Sequence, residues 1–230
     1  MLDNILNIIF PPVCIGCQKL GSTICLKCLK DFIPTQRDTC LYCFYNSKMG
    51  QTHDRCRKKY GLDGVLSIVL YNNIAKKFIS QIKYRMAYGY FEKILNKLPV
   101  FWFEKLTEFT EGNKDWFLQP IPLYSKKKNL RGFNQADLVA SYFAKITKLK
   151  QIDILKRTKD APPQARTHSK KEREENIKGA FAVNKKKPIP SKIILVDDIY
   201  TSASTAKEAA KTLKKAGIKQ VYLFTLAHGR

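Results

Sequence analysis

One segment near the carboxyl terminus constrains the fold more than any other part of the 230-residue chain. An apolar run at residues 193–196 is followed by two adjacent acids, Asp197 and Asp198, and by a hydroxyl-rich turn that leads into a helix predicted at 204–216. Such a run is typical of a central strand in a parallel sheet, because these strands are covered on both faces. Acids at the carboxyl end of such a strand lie where open α/β sheets bind ligands.

The turn after the acids is predicted to bind phosphate. Its hydroxyl and backbone N–H groups lie at a helix N-terminus, which attracts anions. Two carboxylates can accept hydrogen bonds from a pair of sugar hydroxyls, so a polyol that carries a phosphate is the natural ligand. The alternative is an ordinary strand followed by a capped helix, with both acids hydrated. The loop residues are Thr201, Ser202, Ala203, Ser204 and Thr205.

This segment resembles the phosphoribosyl-pyrophosphate (PRPP) motif of type I phosphoribosyltransferases, and in its wider context the ComF/GntX family. The resemblance implies that Asp197 and Asp198 bind the ribose hydroxyls of Mg²⁺-PRPP and that the loop binds its 5′-phosphate. It also implies the type I phosphoribosyltransferase fold, a mainly parallel α/β sheet flanked by helices and preceded by a zinc ribbon. The family usually has Gly where this chain has Ala203, at a point where the backbone comes very close to phosphate.

All seven cysteines lie in the first 56 residues, and they form closely spaced pairs. A histidine stands where an eighth cysteine would complete the fourth pair. Paired thiols with short intervening loops are typical of tetrahedral zinc sites, whereas disulfides or a redox dithiol are the alternatives. The predicted ligands are Cys14, Cys17, Cys25, Cys28, Cys40, Cys43, His53 and Cys56.

These eight ligands can be divided between zinc sites in three ways. Sequential filling gives an all-cysteine site and a mixed site with one histidine, and an interleaved cross-brace uses the same residues in another order. In the third solution only the first site is filled, and Cys40, Cys43 and Cys56 remain thiols. The family resemblance supports sequential filling. One or two structural Zn²⁺ ions are predicted, because four protein ligands leave no open position for water.

After residue 60 the pattern changes to alternating strands and helices. Strands are predicted at 65–71, 116–123, 192–196 and 220–226, and helices at 75–87, 90–106 and 135–146. This alternation predicts a mainly parallel sheet. The predicted organisation is a cysteine-rich zinc module over residues 1–60 and a phosphoribosyltransferase-like domain over residues 61–230.

Two further segments resemble ComF-family signatures. Residues 119–135 resemble "PxPL…RGFNQA", which implies that Arg131 faces the pyrophosphate of PRPP; a guanidinium can bind phosphate bidentately. The alternative is a basic turn that caps a helix. Residues 164–181 resemble the loop that closes over the active site, and Gln164 and Arg173 match its pattern. The alternative there is an exposed charged loop with helical character.

The formal net charge of +23 favours a polyanionic partner, although a lysine-rich composition can also reflect the source proteome. The chain has no secretory signal and no apolar run of membrane-spanning length, so we expect a cytoplasmic protein. Its apolar residues 1–10 leave peripheral membrane contact open.

Three functions are compatible with these features. The resemblance implies a competence protein that handles incoming single-stranded DNA in natural transformation. The first alternative is an active Mg²⁺-PRPP-dependent phosphoribosyltransferase of nucleotide metabolism, whose acceptor the sequence does not identify. The second is a zinc-dependent module that docks to partner proteins, such as a helicase or a DNA-uptake protein.

Overall fold

The structure, a computed structural model, describes residues 11–84, 88–111, 115–160 and 170–229. A five-stranded sheet in the order β1-β7-β6-β2-β3 forms its centre, and every neighbouring pair in it is parallel. A separate antiparallel ribbon pairs β4 with β5. The strands are β1 Gly64–Leu70, β2 Trp116–Pro120, β3 Lys150–Gln151, β4 Leu155–Arg157, β5 Phe181–Val183, β6 Lys192–Tyr200 and β7 Gln220–His228.

Helices flank this sheet on both faces. Two short 3₁₀ turns, Lys48–Gly50 and Asp54–Cys56, lie in the cysteine-rich segment. The described α-helices are α1 Leu26–Lys30, α2 Asn73–Tyr84, α3 Tyr88–Leu95, α4 Phe101–Thr110, α5 Ser125–Arg131, α6 Gln135–Thr147, α7 Lys170–Ile177 and α8 Ser204–Lys215. In the described part of the chain no helix combines the length and apolar character that crossing a membrane requires.

Strand β6 divides the core into two layers, because successive side chains of a strand point to opposite faces. Ile194 and Val196 pack with α2, α3, α4 and α6, whereas Ile193 and Leu195 pack with α8 and the β4–β5 ribbon. All four of these side chains are buried. The predicted α/β class, a mainly parallel sheet preceded by a cysteine-rich module, is confirmed, and the architecture is consistent with the type I phosphoribosyltransferase fold.

The cysteine-rich segment covers the outer edge of β1, which is an end strand of the sheet. Isolated bridges join Pro34 to Val69 and Gln51 to Gly64. The backbone N–H of Leu70 also donates to the carbonyl of Ile33 over 2.8 Å. Segments on either side of the third cysteine pair, Cys40 and Cys43, therefore satisfy backbone groups that an end strand otherwise presents to solvent.

The predicted elements differ from the observed ones in three places. The single helix at 90–106 is wrong, because α3 ends before Pro99 and α4 starts after it; proline disfavours helix in the residue before it. Strand β2 is shorter than predicted and ends at Pro120, whereas β6 is longer and runs through both acids to Tyr200. Helix α5 and strands β3, β4 and β5 were not predicted.

Candidate functional site

The first four cysteines form a compact cluster. Their sulfur atoms all lie within 4.8 Å of one another, and the sulfurs of Cys17 and Cys25 are 3.7 Å apart. Zinc–sulfur bonds of about 2.3 Å place the ligands of a tetrahedral site about 3.8 Å apart, so the spacing fits a metal ion. Gly16 allows this approach, because a Cβ atom at that position would lie 2.5 Å from the sulfur of Cys28.

Backbone amides favour the thiolate form of one member of this cluster. Burial alone raises the pKa of Cys14, but hydrogen bonds from the amides of Cys17, Cys25 and Gly16 outweigh it and lower that pKa to about 6. The amide of Cys25 lies 3.4 Å from the sulfur. For Cys28, burial and the neighbouring sulfur groups raise the pKa to about 12. Because thiolates are the form that binds zinc, Cys14 is already prepared as a ligand at neutral pH.

The second cluster contains Cys40, Cys43, His53 and Cys56, whose ligand atoms also lie within 4.8 Å of one another. The Nδ1 atom of His53 lies 3.2 Å from the sulfur of Cys43, and its Nε2 atom lies 3.1 Å from the carbonyl oxygen of Asn46. A backbone carbonyl that accepts from Nε2–H leaves Nδ1 as the metal ligand, which is the usual outer-shell arrangement for zinc-binding histidine.

The two clusters correspond to sequential filling of the predicted ligands. An interleaved cross-brace does not occur among the described residues, because each cluster uses one contiguous half of the set. Three or four thiols with no more than one imidazole form a donor set that suits zinc, and each site already has four protein ligands. The clusters could therefore hold two structural zinc ions.

The predicted sugar-binding acids lie within the last residues of β6. Asp198 is buried, whereas Asp197 is half-buried and accepts a hydrogen bond of 2.9 Å from the backbone N–H of Asp198. Asp197 belongs to the face of β6 that also carries Ile193 and Leu195. The strand thus extends further than predicted, and both acids are fixed by the sheet.

The predicted phosphate loop connects β6 to α8. The hydroxyls of Ser202 and Ser204 are hydrogen-bonded over 2.7 Å, and Lys207 donates to the carbonyl of Ser202 over 2.9 Å. Ala203 adopts the left-handed conformation, with φ 54° and ψ 23°, and it is buried. This conformation explains a preference for Gly here, since it costs a residue with a Cβ atom about 1–2 kcal/mol. Thr201 is exposed and Thr205 is half-buried.

Arg157 is a cation near the two acids, and it was not predicted from the sequence. It ends β4, and its guanidinium lies 5.8 Å from the ring centre of Phe181. Burial lowers the pKa of Arg157, and the charges of Asp160 and Asp197 oppose that effect. Asp197 thus acts electrostatically on Arg157 although the two residues are 40 positions apart in the sequence. No local pattern identifies it, because a strand of three residues is too short to show periodicity.

Gln119, which directly precedes the "PxPL" signature, is a structural residue. Its side chain is fully buried, and its Oε1 atom accepts from the backbone N–H groups of Ile154 and Leu155 over 2.8 and 3.1 Å. Its Nε2 atom donates to the carbonyl of Pro120 over 2.7 Å. One amide therefore fixes the start of β4, the strand that carries Arg157, to the end of β2.

The "RGFNQA" signature forms a helix junction. Gly132 ends α5 in the left-handed conformation, with φ 78°, and the Asn134 side chain caps α6 by accepting from the backbone N–H of Ala136 over 3.4 Å. Arg131 donates to Oε1 of Gln135 over 3.0 Å. The signature thus includes the helix-capping geometry that the sequence offered as an alternative.

The predicted closing loop is described only in part. Gln164 lies outside the described residues, and the side chain of Arg173 does too, although its backbone belongs to α7. The turn that follows α7 is tied to α8 by a hydrogen bond of 2.9 Å from the backbone N–H of Gly179 to Oε1 of Glu208.

Three curated proteins are similar to this chain. Competence protein F of Haemophilus influenzae is 37% identical over 111 residues, which are 47% of this chain and 48% of that protein. Competence protein ComFC of Streptococcus pneumoniae is 28% identical over 212 residues, which are 91% of this chain and 82% of that protein. The ComFC protein of Bacillus subtilis is 29% identical over 163 residues, 70% of this chain and 62% of that protein. No protein-family model matches the chain.

Over most of its length the chain is similar to competence proteins of the ComF type. The resemblance to the ComF family that the strand–acid–loop segment and the cysteine pairs suggested is thereby confirmed. The match with the S. pneumoniae member of the ComF family extends over most of both chains, whereas the match with the H. influenzae member spans about half the length of either chain.

Proposed function

We propose that this chain is a competence protein of the ComF type that binds Mg²⁺-PRPP, or a related ribosyl phosphate, and handles incoming single-stranded DNA. The observation that carries the ribosyl-phosphate part is the acid pair at the end of β6, followed directly by a hydroxyl-rich loop at the N-terminus of α8. The names of the three relatives support the competence role. The charge of +23 supports a polyanionic partner.

The chemistry of the site residues fits a ribosyl phosphate with Mg²⁺. Asp197 and Asp198 are acceptors for two sugar hydroxyls, and carboxylates are also ligands that Mg²⁺ prefers. The loop from Thr201 to Thr205 supplies hydroxyl and N–H donors for a phosphate, aided by the positive end of the α8 dipole. A bound Mg²⁺ ion would neutralise charge on a pyrophosphate group. Arg157, attracted to Asp197 in the free protein, is a cation close to the proposed site.

Titration calorimetry with Mg²⁺-PRPP tests this site. The double variant Asp197→Ala/Asp198→Ala is expected to lose affinity by at least about tenfold, because each acid forms charge-assisted hydrogen bonds of about 1.5–3 kcal/mol. Asp115→Ala is the matched control, since that carboxylate is 74% exposed and lies outside the site. If the wild type does not bind PRPP, the ribosyl-phosphate part is wrong.

A measurement of pyrophosphate release separates binding from catalysis. The phosphoribosyltransferase alternative is supported if pyrophosphate is released only when a nitrogen acceptor is added and the double variant loses this release. Binding of PRPP without release for any acceptor supports a ligand-binding role. DNA handling is tested independently, by the binding of single-stranded oligonucleotides at two salt concentrations.

A further inference from the structure

A groove lies between the second cysteine cluster and the phosphate loop, and it has a volume of about 1080 Å³. One wall is the segment from Leu41 to Gly61, which carries the mixed metal cluster, and the other walls come from α7, α8 and the loop before α8. Thr201, Ser202 and Ser204 line it as well as the proposed phosphate site. We call it the basic groove. Its volume is at the upper end of the range of pockets that bind small ligands, about 300–1,000 Å³.

The charge of the basic groove is strongly positive. Seven of its 19 lining residues are Lys or Arg and two are Glu. The cations come from different elements, so they are distributed along the groove: Arg55, Arg57, Lys58 and Lys59 follow or precede Cys56, and Lys207 and Lys211 belong to α8. One of the two acids, Glu208, already accepts a hydrogen bond from Gly179 and lies 3.7 Å from Lys211. Such a distribution suits a chain of phosphates rather than a single one.

Aromatic rings line the same groove. The side chain of Phe44 is 61% exposed. Its backbone adopts the left-handed conformation, with φ 62°, and its N–H donates to the carbonyl of Cys40 in the turn that carries Cys40 and Cys43. Tyr42 has the ammonium groups of Lys58 and Lys207 over its ring, each 5.4 Å from the centroid. Tyr42 thus orders two cations, whereas Phe44 presents an apolar ring to the groove.

We propose that the basic groove is the binding track for single-stranded DNA, with its lysines and arginines contacting phosphates and Phe44 stacking on a base. This inference rests on the proposed DNA-handling function and adds the surface on which the strand lies. Cations that follow a backbone, next to an exposed ring, are the general means of binding single strands without reading sequence. Duplex DNA cannot use the ring, because its bases are already stacked.

Fluorescence anisotropy with labelled oligothymidylate tests the charges of the groove. Lys58→Gln/Lys211→Gln is expected to weaken binding about tenfold or more at low salt, and to reduce the slope of log K against log[salt] by about 1.4, since each lost phosphate contact contributes about 0.7. Lys76→Gln/Lys93→Gln is the matched control, because both lysines are exposed and lie outside the groove. It is expected to leave the slope within about 0.3 of the wild type.

A ring variant tests the stacking contact. Phe44→Ala is expected to weaken single-strand binding about 5- to 150-fold with an unchanged salt slope, and to leave duplex binding unaffected. Phe101→Ala is the control, because Phe101 is 62% exposed and lies outside the groove. The zinc content and melting temperature of every variant establish that it is folded.

The outcomes distinguish this inference from the function on which it rests. If the wild type binds oligothymidylate and all groove variants bind equally well, the groove assignment is overturned while DNA handling stands. If Phe44→Ala weakens duplex binding as much as single-strand binding, stacking is overturned. If the wild type binds no single strand at low salt, the DNA-handling function itself fails.

Discussion

Replacement of Gln119 by Met is expected to destabilise the protein by about 2–6 kcal/mol. Met has a similar size but no strong acceptor, so the buried N–H groups of Ile154 and Leu155 lose the oxygen that both now share. A buried backbone donor left without a partner costs about 1–3 kcal/mol, and two such donors give the stated range. For a chain of this length each kcal/mol lowers the melting temperature by about 2–4 °C.

Urea unfolding followed by fluorescence measures this loss, and Gln220→Met is the matched control. Gln220 is exposed at the start of β7, so its replacement is expected to change the unfolding free energy by less than about 0.5 kcal/mol. Gln119→Met is also expected to weaken PRPP binding while still folded, because the amide positions the strand that carries Arg157. If Gln119→Met lowers the unfolding free energy by less than about 1 kcal/mol, the N–H groups of the ribbon have found other acceptors and the prediction is wrong.

Two further predictions concern the metal clusters and a buried acid. Elemental analysis is expected to find two zinc ions per chain in the wild type and one in Cys43→Ser; one ion in the wild type contradicts a filled mixed site. Burial raises the pKa of Asp137, against the opposing effects of Lys128 and Asn134. Ionisation of Asp137 therefore reduces stability as the pH rises above the ordinary value of 3.8. Asp137→Asn is expected to gain stability relative to the wild type as the pH rises from about 4 to about 7. If the urea midpoints of the two proteins differ by the same amount throughout that window, the prediction is wrong.

The parts of the molecule that the sequence predicted are those with a local pattern. The apolar run before Asp197 predicts β6 because both of its faces are buried, and the helix after Ala203 follows from the turn and its periodicity. The cysteine pairs predict two clusters because short loops keep each pair together. The boundary between the two predicted domains, at residues 60 and 61, stays a prediction.

The parts that the sequence did not predict depend on contacts between distant residues or on elements that are too short. Strands β3, β4 and β5 contain two or three residues, so they show no periodicity. Asp197 acts on Arg157 because the ribbon packs against the face of β6 that carries Ile193 and Leu195. Gln119 holds that ribbon from a third strand. Pro99 did carry a signal, since the break between α3 and α4 follows from its restricted geometry.

The cover that the cysteine-rich segment places over β1 has a consequence for solubility. An uncovered end strand is a template on which another chain can pair, and β1 is apolar along most of its length. Because the bridges from Pro34 and Gln51 come from loops that the two clusters hold in shape, metal loss is expected to expose that template. Metal ions held in the two clusters would therefore protect the protein against self-association through strand pairing.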